Sequence, residues 1–274
     1  MMTDARKAVW HRTFGGGNPA VVLLHGGMQT SRNFVKLAGL LADRFTVHVP
    51  DRRGRGRGAP TGPDYGLATE IDDLRHLLQE TGARNVFGLS SGAVIAIQAA
   101  LELPEIQRLA IYEPPLPFNE INPVGWLPRY ERELAAGKKA AAFATILRGT
   151  GDLRVPMPRA ALVPLIKLGI RLDGRANRPP DYTSLGELIP TMRADATVVA
   201  QAAGPLARFA AVRAETLLLG GARSAAYLKA VLTGLEPVLP RVRRVTLPGV
   251  GHLAADNNGR PQLVAAQLRD FFGG

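Results

Sequence analysis

The order of apolar and polar positions changes character twice along this chain. Val21-Val22-Leu23-Leu24, Phe45 to Val49, Asn85 to Leu89 and Arg108 to Tyr112 are short, largely apolar runs. That is the pattern of strands buried on both faces. Between them the period lengthens. Thr69 to Thr81 sets Ile71, Leu74, Leu77 and Leu78 on one helical face and stops at Gly82, while Ala93 to Leu103 is apolar nearly all round and predicts a buried helix. Strand–helix alternation predicts an α/β chain with a mostly parallel central sheet and helices on both faces.

From Pro114 to about Leu206 no clear strand is visible. Prolines stand at 114, 115, 117, 123 and 128, and again at 156, 158, 164, 179, 180 and 190, with helical pieces such as Tyr130 to Leu147 between them. A stretch this long and this rich in proline predicts a helical insertion rather than a loop or one long helix. Strand–helix order then returns with Glu215 to Leu219, Ser224 to Leu232, Val242 to Leu247 and a last helix at about Gln262 to Phe272. The expected division is a core of residues 1–113 and 207–274 and a helical cap of residues 114–206, inserted after the strand ending at Tyr112.

Composition narrows the function classes. With 274 residues and 46% hydrophobic side chains the chain can bury a sizeable core. No apolar run reaches the roughly 18 residues of a membrane span, so no membrane association is expected. Met1 to Lys7 has no apolar stretch behind it, so the expectation is no secretory signal and a cytoplasmic location. The absence of cysteine excludes disulfides, thiolate nucleophiles and cysteine-bound zinc. The five histidines (11, 25, 48, 76 and 252) show no metal-ligand spacing, so neither metal nor cofactor is expected. A net charge of +11 raises an anionic or nucleic-acid partner. The arginines are scattered and lack aromatic interleaving, so the expectation is a basic composition spread over the surface and no specific nucleic acid.

The strongest chemical signal is Gly88-Leu89-Ser90-Ser91-Gly92, directly after an apolar strand and directly before an apolar helix. A sharp strand-to-helix turn lifts a serine hydroxyl out of the sheet and places the N–H groups of a helix start behind it, so Ser90 is the candidate nucleophile. Upstream, His25-Gly26-Gly27-Met28 follows a strand and can offer backbone N–H groups to an oxyanion; Gly27 and Ser91 are the candidate donors. Asp51-Arg52-Arg53-Gly54-Arg55-Gly56-Arg57-Gly58 follows the next strand, with glycines that do not match a phosphate loop.

This series resembles the α/β-hydrolase superfamily, in its ester- and lactone-cleaving branch. The His-Gly turn, Asp51, Arg53, Gly54 and Gly56 of the arginine loop, the serine turn and the late Gly251-His252 fall in the family's order, from about Val9 to Phe272. The resemblance implies that the arginine loop is an ordinary turn, with Gly58 where a serine is common. It also implies the chain order Ser, acid, His. His252, in the loop after the last strand, is then the general base. A serine nucleophile argues against dehalogenase and epoxide-hydrolase chemistry, whose branches use Asp there.

The acid is less plain. The superfamily usually places it after the penultimate strand, where this chain has Gly220-Gly221-Ala222-Arg223-Ser224-Ala225, with Ser224 about where an Asp is expected. Glu113, ending the strand after the nucleophile, is the favoured substitute, at the carboxyl edge where α/β sites are built. Asp256 is the rival, although Asp256-Asn257-Asn258-Gly259 also suits a turn and a helix cap before Pro261; Asp195 is a weaker one. The expected activity is hydrolysis of a small or medium apolar ester or lactone under the cap, with Trp126, Leu127, Phe143, Ile146, Leu147, Leu165 and Ile166 as possible lining. A C–C hydrolase, a perhydrolase or a non-catalytic ligand-binding member of the fold stays open, as does the oligomeric state.

Overall fold

A computed structural model describes residues 9–151 and 157–274. The N-terminal stretch read above and Pro156 lie outside the described residues.

The strands are β1 (His11–Phe14), β2 (Ala20–Leu24), β3 (Thr46–Pro50), β4 (Asn85–Leu89), β5 (Arg108–Tyr112), β6 (Glu215–Gly221) and β7 (Val242–Leu247). They form one sheet in the order β1-β3-β2-β4-β5-β6-β7, antiparallel only where β1 meets β3. Adjacent residues of a strand face opposite ways, so the continuous apolar runs feed two cores. Val22, Leu24, Val86, Leu109 and Ile111 join one, and Val21, Leu23, Phe87, Ala110 and Tyr112 join the other. Helices α1 (Val35–Leu41) and α10 (Pro261–Gly273) cover the second face. Helices α2 (Leu67–Thr81), α3 (Ser91–Glu102) and α9 (Ala226–Leu235) cover the first. The sheet is mostly parallel with helices on both faces, as the sequence pattern predicts.

The segment between β5 and β6 carries α4 (Leu127–Ala135), α5 (Lys139–Gly149), α6 (Arg159–Arg175), α7 (Leu185–Leu188) and α8 (Met192–Gln201). The helical piece expected over Tyr130 to Leu147 is two helices, because Gly137 takes φ 68° between them. That conformation favours glycine and ends a helix. Tyr130, Ala142, Ile146 and Ile189 make a small core inside this segment. Helix α8 is different: its Val198 and Val199, with Ala202 just after it, belong to the core on the α2/α3 face of the sheet. One helix of the insertion is therefore packed into the main body.

Candidate active site

The residues singled out from the sequence gather at the carboxyl edge of the parallel strands. Ser90 follows β4, Glu113 follows β5, His25 follows β2, and His252 lies in the loop after β7. Ser90 has φ 56° and ψ −122°, and Glu113 has φ 48°. A side chain in that region costs on the order of 1–3 kcal/mol, which the surrounding packing must hold. The packing explains how. A Cβ on Gly88 would lie 2.4 Å from the Gly92 carbonyl oxygen, and one on Gly92 would lie 2.4 Å from that of Leu24. The chain at the turn is pressed against itself and against β2, and only glycine permits that approach. Ser90 N–H donates to the Tyr112 carbonyl at 2.9 Å, and Glu113 N–H donates to that of Leu219 at 3.1 Å.

His252 Nδ1 lies 2.8 Å from Glu113 Oε2. A carboxylate only accepts, so in the neutral ring Nδ1 is the nitrogen that carries the proton and Nε2 the one with the lone pair. Glu113 is 0% exposed, and its Oε1 accepts the Gly221 N–H at 2.7 Å. The Gly-Gly sequence that lacked an acid has a physical role here. A Cβ on Gly220 would come within 3.1 Å of Glu113 Oε1, and one on Gly221 would lie 2.6 Å from the Val250 carbonyl oxygen. The two glycines leave room for the carboxylate from the neighbouring strand and for the histidine loop above it. Tyr112 Oη–H donates to the Gly251 carbonyl at 2.8 Å and fixes that loop.

The rival carboxylates are engaged elsewhere. Asp256 Oδ2 accepts from Gln29 Nε2 (2.8 Å) and Asn33 Nδ2 (2.7 Å), and its Oδ1 accepts from Asn258 N–H (2.9 Å). It makes the expected turn but not the helix cap, since Arg260 stands at the N-cap of α10 with no side-chain cap bond. Gln29, not foreseen in the sequence, also accepts the Gly26 N–H through Oε1 at 2.9 Å, so Asp256 braces the glycine turn. The Ser224 hydroxyl is buried and makes no hydrogen bond among the described residues.

Arg52 and Arg55 are exceptions to the expectation that the basic residues are spread over the surface. Both side chains are buried. Arg52 holds Glu70 of α2 with two bonds (Nε to Oε2 3.1 Å, Nη2 to Oε1 3.0 Å) and donates through Nη1 to Asp195 Oδ1 and Ser91 Oγ, each at 3.0 Å. Arg55 Nη2 lies 3.1 Å from Asp195 Oδ2. Burial pushes the Asp195 carboxyl up, but Arg55, Arg52 and the Ser91 hydroxyl more than offset it and hold it below the usual carboxylate range. Burial, then the charges of Arg52 and Arg55, pushes His25 well below the usual imidazole value. Neutral His25 donates from Nδ1 to the Gly26 carbonyl (3.0 Å) and accepts the Arg52 N–H at Nε2 (3.2 Å).

Gly27, Ser90, Ser91, Asp195, His252 and Asp256 line one cavity of about 370 Å³. Of the expected lining, Trp126, Phe143, Ile146 and Leu147 are there. Leu127 packs in the insertion's own core, Leu165 is 55% exposed, and Ile166 does not reach the cavity. Among the described residues no group of three His, Asp or Glu is placed to hold a metal ion. No helix among them is long and apolar enough to cross a membrane.

The profile of the alpha/beta hydrolase family matches residues 21–267. An alpha/beta hydrolase from Sphaerobacter thermophilus DSM 20745 is 30% identical, with 96% of each chain covered and a TM-score of 0.74. The enol-lactonase from Burkholderia xenovorans LB400 superposes with a TM-score of 0.68 at 21% identity, covering 97% of this chain and 96% of that one, a likeness of fold. The uncharacterized hydrolase YraK of Bacillus subtilis (strain 168) is 34% identical over 110 residues, 39% of this chain and 41% of that protein. An uncharacterized protein of Mycobacterium tuberculosis (strain ATCC 25618 / H37Rv) is 29% identical over 180 residues, 65% of this chain and 47% of that protein. The chain thus spans less than half the length of these curated relatives.

Proposed function

This chain belongs to the alpha/beta hydrolase family, and from that premise we propose that it is a serine hydrolase that cleaves a small or medium, apolar carboxylic ester or lactone. The observation that carries the reading is one arrangement. Ser90 stands on a strained turn facing the same cavity as His252, whose Nδ1 is 2.8 Å from the fully buried Glu113.

In this reading His252 Nε2 takes the Ser90 proton as Oγ attacks the carbonyl carbon, and Glu113 holds the ring and stabilises the imidazolium. The N–H of Ser91, at the first helical position of α3, has no acceptor within its own helix, and with the N–H of Gly27 it receives the oxyanion. Return of the proton expels the alcohol, or opens the lactone, and leaves an acyl-enzyme on Ser90. Water, activated by His252, then releases the acid. Residues 1–113 and 207–274 act as the core and residues 114–206 as the cap that selects the substrate. Trp126, Phe143, Ile146 and Leu147, supplied by that cap, favour an apolar acyl chain or ring. The enol-lactonase named above supports the lactone half of the proposal.

A panel of p-nitrophenyl esters of increasing acyl length and of γ- and δ-lactones tests it. Wild type is expected to turn over short or medium members, and Ser90→Ala to lose at least about a thousand-fold in kcat/KM. Equal activity of the two proteins would refute it.

A further inference from the structure

Asp195 is one of the buried charges that the proposed triad does not use. It is 1% exposed and belongs to α8, the helix of the insertion that shares the main core. Its Oδ1 accepts the Ser91 hydroxyl at 2.7 Å and Arg52 Nη1 at 3.0 Å. The same Nη1 also lies 3.2 Å from the carbonyl oxygen of His25, to which it donates. Arg52 thereby ties the turn carrying Gly27 to the helix start carrying Ser91. Helix α8 closes on the other side of that turn: a Cβ on Gly27 would lie 3.0 Å from Met192 Sδ and 3.3 Å from Asp195 Oδ2. Both proposed oxyanion donors are therefore held by contacts that run through one carboxylate of the insertion.

A carboxylate is a poor neighbour for a developing oxyanion. Two like charges repel at short range, and more strongly away from bulk water. Two guanidinium groups against Asp195 remove that penalty, and Glu70 takes up the second charge of Arg52, so the four groups sum to zero. What remains is a rigid, uncharged brace between the insertion and the oxyanion site.

We propose that Asp195, acting through Ser91 and Arg52, is a positioning residue that couples the seating of α8 to the geometry of the oxyanion hole. This rests on the serine-hydrolase reading. A cluster that only seats α8 would affect stability and substrate binding. A cluster that sets the two N–H donors affects the transition state, because donors aimed at a developing charge act only there.

Ser91→Ala is the cleaner variant, since it removes one bond to Asp195 and leaves the backbone donor and the ion pairs in place. Asp195→Asn is the second. Each is measured for kcat and KM on a p-nitrophenyl ester, for inhibition by an alkyl trifluoromethyl ketone, whose adduct on Ser90 carries an oxyanion, and for its melting temperature. Wild type and Ser90→Ala are assayed alongside. The expected result for Ser91→Ala is a fall of about ten-fold in kcat, a matching rise in the inhibition constant, and KM within about two-fold. Asp195→Asn, where it folds, shifts kcat and the inhibition constant in the same direction. Folded Ser91→Ala with unchanged kcat and unchanged inhibition would overturn the proposal while leaving the triad intact. Activity retained by Ser90→Ala would instead sink the hydrolase reading, and the positioning role with it.

Discussion

Two buried carboxylates lie close to Ser90, and the proposed mechanism gives them opposite roles. Glu113 is 0% exposed and has a backbone N–H on one oxygen and the His252 ring on the other. Asp195 is 1% exposed and is surrounded by a hydroxyl and two guanidinium groups. Burial is the same; the company differs. Glu113 faces one imidazole, and in the proposed mechanism it stabilises that ring when the ring gains a proton. The charge of Asp195 is cancelled by fixed cations, so it can hold groups in place but cannot serve a base. The role of a buried acid is set by whether its partner titrates.

Glu113→Gln breaks the first member of this pair while keeping its size. A fall of about a thousand-fold in kcat, with the melting temperature little changed, is expected by analogy with other triads that lose their acid. Asp256→Asn, removing the rival that lies in the same cavity, should keep kcat within about ten-fold; steady-state kinetics on both variants decides between the two carboxylates.

Arg55→Met breaks the second member. It leaves Asp195 with less compensation in a buried setting, and losing one partner of a buried pair costs about 3–5 kcal/mol. Denaturant unfolding should show a stability loss of that order. An unchanged midpoint would mean that Arg55 is not needed to neutralise Asp195.

The smallest effect separates both carboxylates from the acid sensitivity of the fold. Burial, and then His11, lowers the His48 pKa to about 4. The unfolded chain therefore binds a proton that the folded chain refuses between about pH 6.5 and 4. Stability from His48 is complete above the unfolded value and is lost as pH falls through the folded one. Asp195, held below the usual carboxylate range, keeps its contribution until lower pH. Melting temperature should decline from pH 6.5 to 4, and His48→Gln should flatten the decline. An identical slope in that variant would assign the acid loss elsewhere.

Strands β2 to β7 are legible in the sequence, and the edge strand β1 is not. β4 and β5 have the bounds that the apolar runs predict, because strands buried on both faces need largely apolar sequence, and β7, Val-Arg-Arg-Val-Thr-Leu, also has its predicted bounds although only Leu247 is buried. β1 is an edge strand whose four residues, His-Arg-Thr-Phe, are only partly buried, so its sequence carries no run. α1, with only seven residues, is too short for a clear period. The same contrast holds for the two carboxylates. The place of Glu113 beside His252 is foreseen because the expected acid position is empty and because Glu113 ends a strand. Asp195 is not, since its Ser91 partner lies 104 residues away and arginines such as Arg52 and Arg55 are seldom buried without a partner that spacing cannot show.

In the proposed mechanism Ser90 is a nucleophile activated by His252 and Glu113. That mechanism is tested most directly by the rate at which a fluorophosphonate labels the protein, read by intact mass and peptide mapping. The account predicts one adduct, on Ser90, formed at least about a hundred-fold more slowly in Glu113→Gln. Folded wild type that gains no adduct, or Glu113→Gln labelled at the wild-type rate, would contradict it.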